Sequence, residues 1–157
     1  LFLIYLLEKY LDEQFNRLAE KNIKLNIIGN INKFPNSLKK KLKKAKKTTK
    51  TNNSIQINLA LNYGSKEEII TAIKKLLNSS SKINEENISQ NLYTKDIPDP
   101  EILIRTGNRY RLSNFLLWQL AYTEIFFIKK LWPDFNENDF IKILNQFKRV
   151  KRNFGKI

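Results

Sequence analysis

Arg105, Arg109, Arg111 and Ser113 lie close together in the chain, with Gly107 among them. Arginine presents a planar fork of donors that matches phosphate oxygens in pairs. Glycine lets a backbone turn without a Cβ clash. Ahead of the cluster, after Pro98 and Pro100, Ile102, Leu103 and Ile104 form the short apolar run of a buried strand. Behind it, Ser113-Asn114 precedes the apolar Phe115–Ala121, a helix N-cap pattern. The order predicted is strand, basic loop, helix start. Ligands of open α/β sheets sit beyond the carboxyl ends of the strands, and a helix N-terminus favours an anion. Together these describe a phosphate or diphosphate cradle. The competing reading is a solvated loop in a lysine-rich chain.

The elements that position this loop follow from periodicity. Ile4, Leu7, Leu11, Phe15 and Leu18 recur at helical spacing through about Lys21. Ile23–Ile28 reads as a strand ended by Gly29-Asn30, and Pro35-Asn36-Ser37 opens a helix with Leu38, Leu42 and Ala45 on its apolar side. The other faces of that helix carry lysines from Lys39 to Lys50, read as a solvated face. Ile55, Ile57, Leu59 and Leu61 alternate with smaller or polar residues, a strand with one strongly apolar face. Asn62-Tyr63-Gly64 ends it, and Lys66 starts another helix. Asn78–Ser81 reads as a linker too short to divide domains, and Ile88–Tyr93 as a short helix. Glu124–Ile128 is a further strand, and Asn136–Phe154 a closing helix with Phe140, Leu144, Phe147 and Phe154 on or near the core face. Strands near 23–28, 55–61, 102–105 and 124–128 alternating with helices predict an α/β fold. The expectation is a mostly parallel sheet with helices on both faces, in one domain over 1–157.

Composition narrows the chemistry. The 157 residues have 41% hydrophobic content and 18 aromatics, enough for a packed core. There is no Cys and no His, which excludes disulfides, thiol nucleophiles and a histidine base. The net charge of +14 implies an anionic partner. Phosphoryl or diphosphate chemistry assisted by arginine and a hard metal passes this filter. The apolar LFLIYLL at the start is far shorter than the ~20 residues that span a bilayer.

The run from Ile104-Arg105-Thr106-Gly107 through Arg111-Leu112-Ser113-Asn114-Phe115 to Glu124, followed by Leu131-Trp132-Pro133-Asp134-Phe135, resembles the signature of cis-prenyltransferases, the undecaprenyl diphosphate synthase family. The resemblance covers the later part of the family's domain, with its first strands missing here. It implies condensation of isopentenyl diphosphate with an allylic diphosphate to build a polyprenyl, undecaprenyl-type, lipid carrier. By motif, Arg105, Arg111 and Ser113 match the residues that hold the isopentenyl diphosphate head group. Glu124 matches the acidic residue that takes part in Mg²⁺ binding, reaching it from the partner subunit of a homodimer. The first helix would line a product tunnel. The implied setting is cytoplasmic, with peripheral membrane contact left open and no nucleic acid expected.

Several positions depart from the family's pattern. Asn108-Arg109 stands where the family shows Gly-Glu, Ser65-Lys66 where it shows Gly-Arg, and Asn30 where it tends to carry Asp. Its closing Arg-Arg-Phe-Gly appears as Arg152-Asn153-Phe154-Gly155. The family's catalytic Asp sits in a glycine-containing loop, and none of Gly29, Gly64, Gly107 and Gly155 lies in such a loop. The expectation is therefore a fragment of the enzyme, inactive alone. The alternatives are a non-catalytic partner subunit and a basic nucleic-acid-binding protein that contacts its ligand through Lys39–Lys50.

Overall fold

The computed structural model describes residues 2–152. It divides into two compact units, Leu1–Gly64 and Ser65–Ile157.

In the first unit the order is α1 (Phe2–Glu20), β1 (Ile23–Ile28), α2 (Asn36–Thr48) and β2 (Ile55–Ala60). β1 and β2 pair in parallel, Ile23 opposite Ile55 through Ile28 opposite Ala60. A parallel pair needs a crossover between its strands, and α2 supplies it. Leu38, Leu42 and Ala45 recur at helical spacing, and all three are buried against Leu11 of α1 and Leu25 of β1. Burying a leucine fully stabilises the fold by about 1.5–3 kcal/mol. Thr49 fastens the end of α2, its hydroxyl donating to the Ala45 carbonyl at 2.9 Å and accepting from the Leu25 amide at 3.0 Å. Gly29 closes β1 with φ +101°, where a Cβ would sit 2.3 Å from the Leu61 carbonyl oxygen. No larger residue fits there. Asn30 has a structural role, its Oδ1 accepting the Asn32 amide at 3.1 Å and its carbonyl accepting from the Asn62 side chain at 2.9 Å.

The face expected to be apolar along β2 is buried only in its second half. Leu59 and Leu61 pack on the core, whereas Ile55 and Ile57 are exposed. α1 is apolar on two sides. Ile4, Leu7, Leu11 and Leu18 face the core, and Phe2, Tyr5, Leu6 and Tyr10 are exposed. The side chain of Phe15 lies outside the described residues.

The second unit holds α3 (Ser65–Asn78), α4 (Glu85–Ser89), β3 (Ile102–Arg105), β4 (Glu124–Phe127) and α5 (Glu137–Phe147). β3 and β4 pair in parallel, Ile102 opposite Glu124 and Arg105 opposite Phe127. Among the described residues the strands thus pair in parallel, two by two. Ala72, Leu76, Ile88 and Leu92 form the buried cluster of this unit.

Three sequence expectations change here. Residues 79–81 are a helix stop rather than a linker: Ser80 has φ +52°, and Ser81 and Ser80 donate to the Leu76 and Leu77 carbonyls, the Schellman pattern. The short helix begins earlier than Ile88, because Asn84 caps it by accepting the Asn87 amide at 2.8 Å. α5 stops at Phe147 instead of running on to 154. Arg152 turns back to bridge Glu101 at 2.8 Å, donate to the Tyr122 carbonyl at 3.2 Å and stack over Phe147. In α5, Ile143 is the buried residue while Phe140 is exposed. Residues 153–155 of the closing motif lie outside the described residues.

Candidate functional site

β3 delivers Arg105 to its carboxyl end, and the chain then reverses. Gly107 donates to the Lys130 carbonyl at 2.7 Å and Asn108 to the Ile128 carbonyl at 3.1 Å, so the loop is sewn to the segment that follows β4. Both residues sit in the left-handed region, φ +86° for Gly107 and +54° for Asn108. Asn tolerates that region better than most residues, which explains how it stands where the family has a glycine. Tyr110 then lies against Phe127, ring centroids 5.1 Å apart.

This path returns Arg111 and Ser113 to Arg105. The Arg105 Nη1 donates to the Ser113 hydroxyl at 3.1 Å and to the Arg111 carbonyl. Among the described residues no hydrogen bond engages its Nη2 or Nε. The guanidinium is therefore fixed by one nitrogen, Nη1. Arg105, Arg111 and Ser113 line a cavity of about 240 Å³ together with Leu103, Leu112 and Phe115. Two cations and a hydroxyl beside an apolar wall suit an anionic head group with a short hydrocarbon tail. Arg109 is exposed and lies outside this lining.

The helix expected after Ser113-Asn114 is not formed. Residues 113–122 are successive turns, with Ser113, Asn114 and Leu116 all at positive φ. No helix dipole from residues 115–121 thus acts at this loop, and the arginines carry the anion-binding potential. The capping chemistry of Asn114 is real but serves a different helix. Its carbonyl accepts the Ser65 amide at 2.8 Å and its Oδ1 accepts the Lys66 amide at 2.9 Å, at the start of α3. Sequence reasoning gave Ser65 no role, since only long-range contacts reveal it. The same holds for Glu68. Buried to 1% exposure, it accepts from the Tyr93 amide at 2.6 Å and from Gln119 at 3.3 Å. Burial first, then the nearby Glu67 carboxylate, pushes the Tyr93 hydroxyl above its usual range.

Glu124 does not join this cluster. It opposes Ile102 at the amino end of the strand pair, three positions from the level of Arg105, or roughly 10 Å. Paired residues share a face and neighbours alternate, so Glu124 and Arg105 also project to opposite faces of the pair. Among the described residues no three carboxylates gather into a metal cluster. Mg²⁺ commonly takes one or two carboxylates and completes its shell with water and substrate phosphates. A single half-buried Glu124 fits that demand as one ligand.

The family model described as putative undecaprenyl diphosphate synthase matches residues 1–155. An isoprenyl transferase of Rickettsia typhi is 42% identical over 99% of this chain and 69% of its own length. One from Prochlorococcus marinus is 41% identical, with 60% of its length covered. A probable undecaprenyl diphosphate synthase from Campylobacter jejuni superposes with a TM-score of 0.91 at 36% identity, covering 99% of this chain and 74% of that one. The lavandulyl diphosphate synthase of Lavandula x intermedia, solved with dimethylallyl diphosphate, superposes at 0.92 with 32% identity, covering 99% of this chain and 70% of that one.

Proposed function

The chain belongs to the undecaprenyl diphosphate synthase family of prenyltransferases, and on that footing we propose that the loop after β3 binds isopentenyl diphosphate for cis-prenyl chain elongation. The observation that carries this reading is the Arg105 guanidinium, held by Ser113 and the Arg111 carbonyl beside an apolar wall. Arg105 and Arg111 would neutralise the diphosphate, Ser113 would donate its hydroxyl to a phosphate oxygen, and Leu103, Leu112 and Phe115 would take the five-carbon tail. Fixed donors in a partly dry site bind an anion without reorganising.

The second substrate is an allylic diphosphate, whose diphosphate must leave as positive charge develops on carbon. Mg²⁺, when bound, supplies charge neutralisation on that leaving group. Glu124 is the residue that would hold it. Its place on the far face of the strand pair supports service to the site of a second copy, which makes a homodimer part of the proposal. The exposed apolar side of α1 supports a role along the product's path. Since the arginine loop accounts for one diphosphate and not two, these 157 residues alone are expected to bind substrate without transferring prenyl groups.

The test is calorimetric titration of isopentenyl diphosphate into the chain and into its Arg105→Ala and Arg111→Ala variants. Both substitutions are expected to weaken binding. Unchanged affinity in both would refute the site.

A further inference from the structure

Three hydrogen bonds join the start of α3 to the segment just after Ser113. The Ser65 amide donates to the Asn114 carbonyl at 2.8 Å, the Lys66 amide donates to Asn114 Oδ1 at 2.9 Å, and the Ser65 hydroxyl accepts from the Leu117 amide at 2.9 Å. The partners lie 48 to 52 positions apart in sequence. The first amides of a helix lack partners within it and need an acceptor from elsewhere. Gly64, which precedes α3, has no side chain to offer. Asn114 fills that need from across the unit.

We propose that Asn114 and Ser65 form a clasp that positions the diphosphate loop, acting through Ser113; this rests on the reading of Arg105, Arg111 and Ser113 as a diphosphate site. Neither clasp residue lines the cavity. Ser65 is fully buried, whereas Asn114 is exposed and so replaceable without opening a core. Asn114 at φ +61° follows Ser113 at φ +52°. Two adjacent residues in this sparsely populated region persist only when their surroundings over-determine them. The clasp does so: with the Asn114 carbonyl and Oδ1 both accepting from amides of α3, the Ser113 hydroxyl is placed to accept from Arg105 Nη1. Gln119, later in the same segment, anchors again on α3 through Glu68.

The experiment titrates the chain separately with isopentenyl diphosphate and with inorganic diphosphate, for wild type, Asn114→Gly, Ser65→Ala and Arg105→Ala. Asn114→Gly is the decisive variant, because glycine keeps the left-handed backbone and the carbonyl while removing the side chain that carries Oδ1. It is expected to bind both anions roughly three- to tenfold more weakly, by the same factor for each, with only a small loss of thermal midpoint from the lost cap on α3. Ser65→Ala is expected to match it in affinity with some loss of midpoint. Wild-type affinity in Asn114→Gly, with Arg105→Ala weakened, would overturn the clasp alone. Wild-type affinity in Arg105→Ala as well would bring down the diphosphate site on which it rests.

Discussion

The lysines of α2 and the arginines after β3 carry the same sign of charge in different settings. α2 holds seven lysines and no acid, and Lys40, Lys43, Lys46 and Lys47 are exposed on the faces turned away from Leu38, Leu42 and Ala45. An exposed ammonium on a four-carbon stem is strongly hydrated and mobile, so it shapes the field around the protein more than it holds a ligand. Arg105 is held at Nη1 by two acceptors and stands beside apolar side chains. Lys130 belongs with Arg105 rather than with α2. Its ammonium is held by Asp139 at 2.8 Å while its carbonyl receives Gly107 of the loop. What separates the two regions is the fixing of each cation by its neighbours. A net charge of +14 predicts attraction for anions, and only the organised cations predict where one stays.

The largest effect should come from changing organisation while keeping charge. Arg105→Lys leaves the net charge unaltered, yet one ammonium cannot reproduce the fork. Titration is expected to show a loss approaching the ~1.5–3 kcal/mol of a charge-assisted hydrogen bond. Wild-type affinity in this variant would mean that charge alone suffices.

A smaller effect concerns the lysine at the loop's edge. The hydrogen bond from Lys130, followed by that from the Asn136 amide, holds the Asp139 carboxyl below its usual value of 3.8. A carboxyl depressed in the folded state contributes stability that is present above its unfolded value and is lost as pH falls through its folded value. Wild type should therefore melt above Asp139→Asn at neutral pH, and the gap should close in acid below pH 3.8. A gap constant across that range would show that Asp139 acts only through the shape of its capping box.

The smallest effect is expected on α2. Replacing Lys40, Lys43 and Lys47 together with Gln removes three charges and should change isopentenyl diphosphate affinity by less than about 0.5 kcal/mol at physiological salt, where exposed charges are screened. A loss matching that of Arg105→Lys would erase the distinction between the two regions.

Much of this was legible in local pattern. The strands at 23–28 and 102–105 and the buried Leu38, Leu42 and Ala45 follow from short-range periodicity, which burial enforces. Spacing put Arg105, Arg109, Arg111 and Ser113 in one basic loop, and the resemblance picked out Arg105, Arg111 and Ser113; those three line one cavity, and Arg109 lies outside it. The helix after Asn114 failed because a cap pattern names a capping residue without naming the helix it caps. Asn114 spends its acceptors on α3, and that contact holds the following residues in turns. Ser65 and Glu68 were invisible for the same reason, since their partners are 25 to 52 positions away. The exposure of Ile55 and Ile57 was likewise unreadable, because alternation marks an apolar face and says nothing about what covers it.

The most direct test of the central claim is a crystal structure of the chain with isopentenyl diphosphate bound. The diphosphate is expected within hydrogen-bonding distance of Arg105 and Ser113, with the hydrocarbon against Leu103, Leu112 and Phe115. A diphosphate seated on the lysines of α2, with the cavity after β3 left empty, would contradict it.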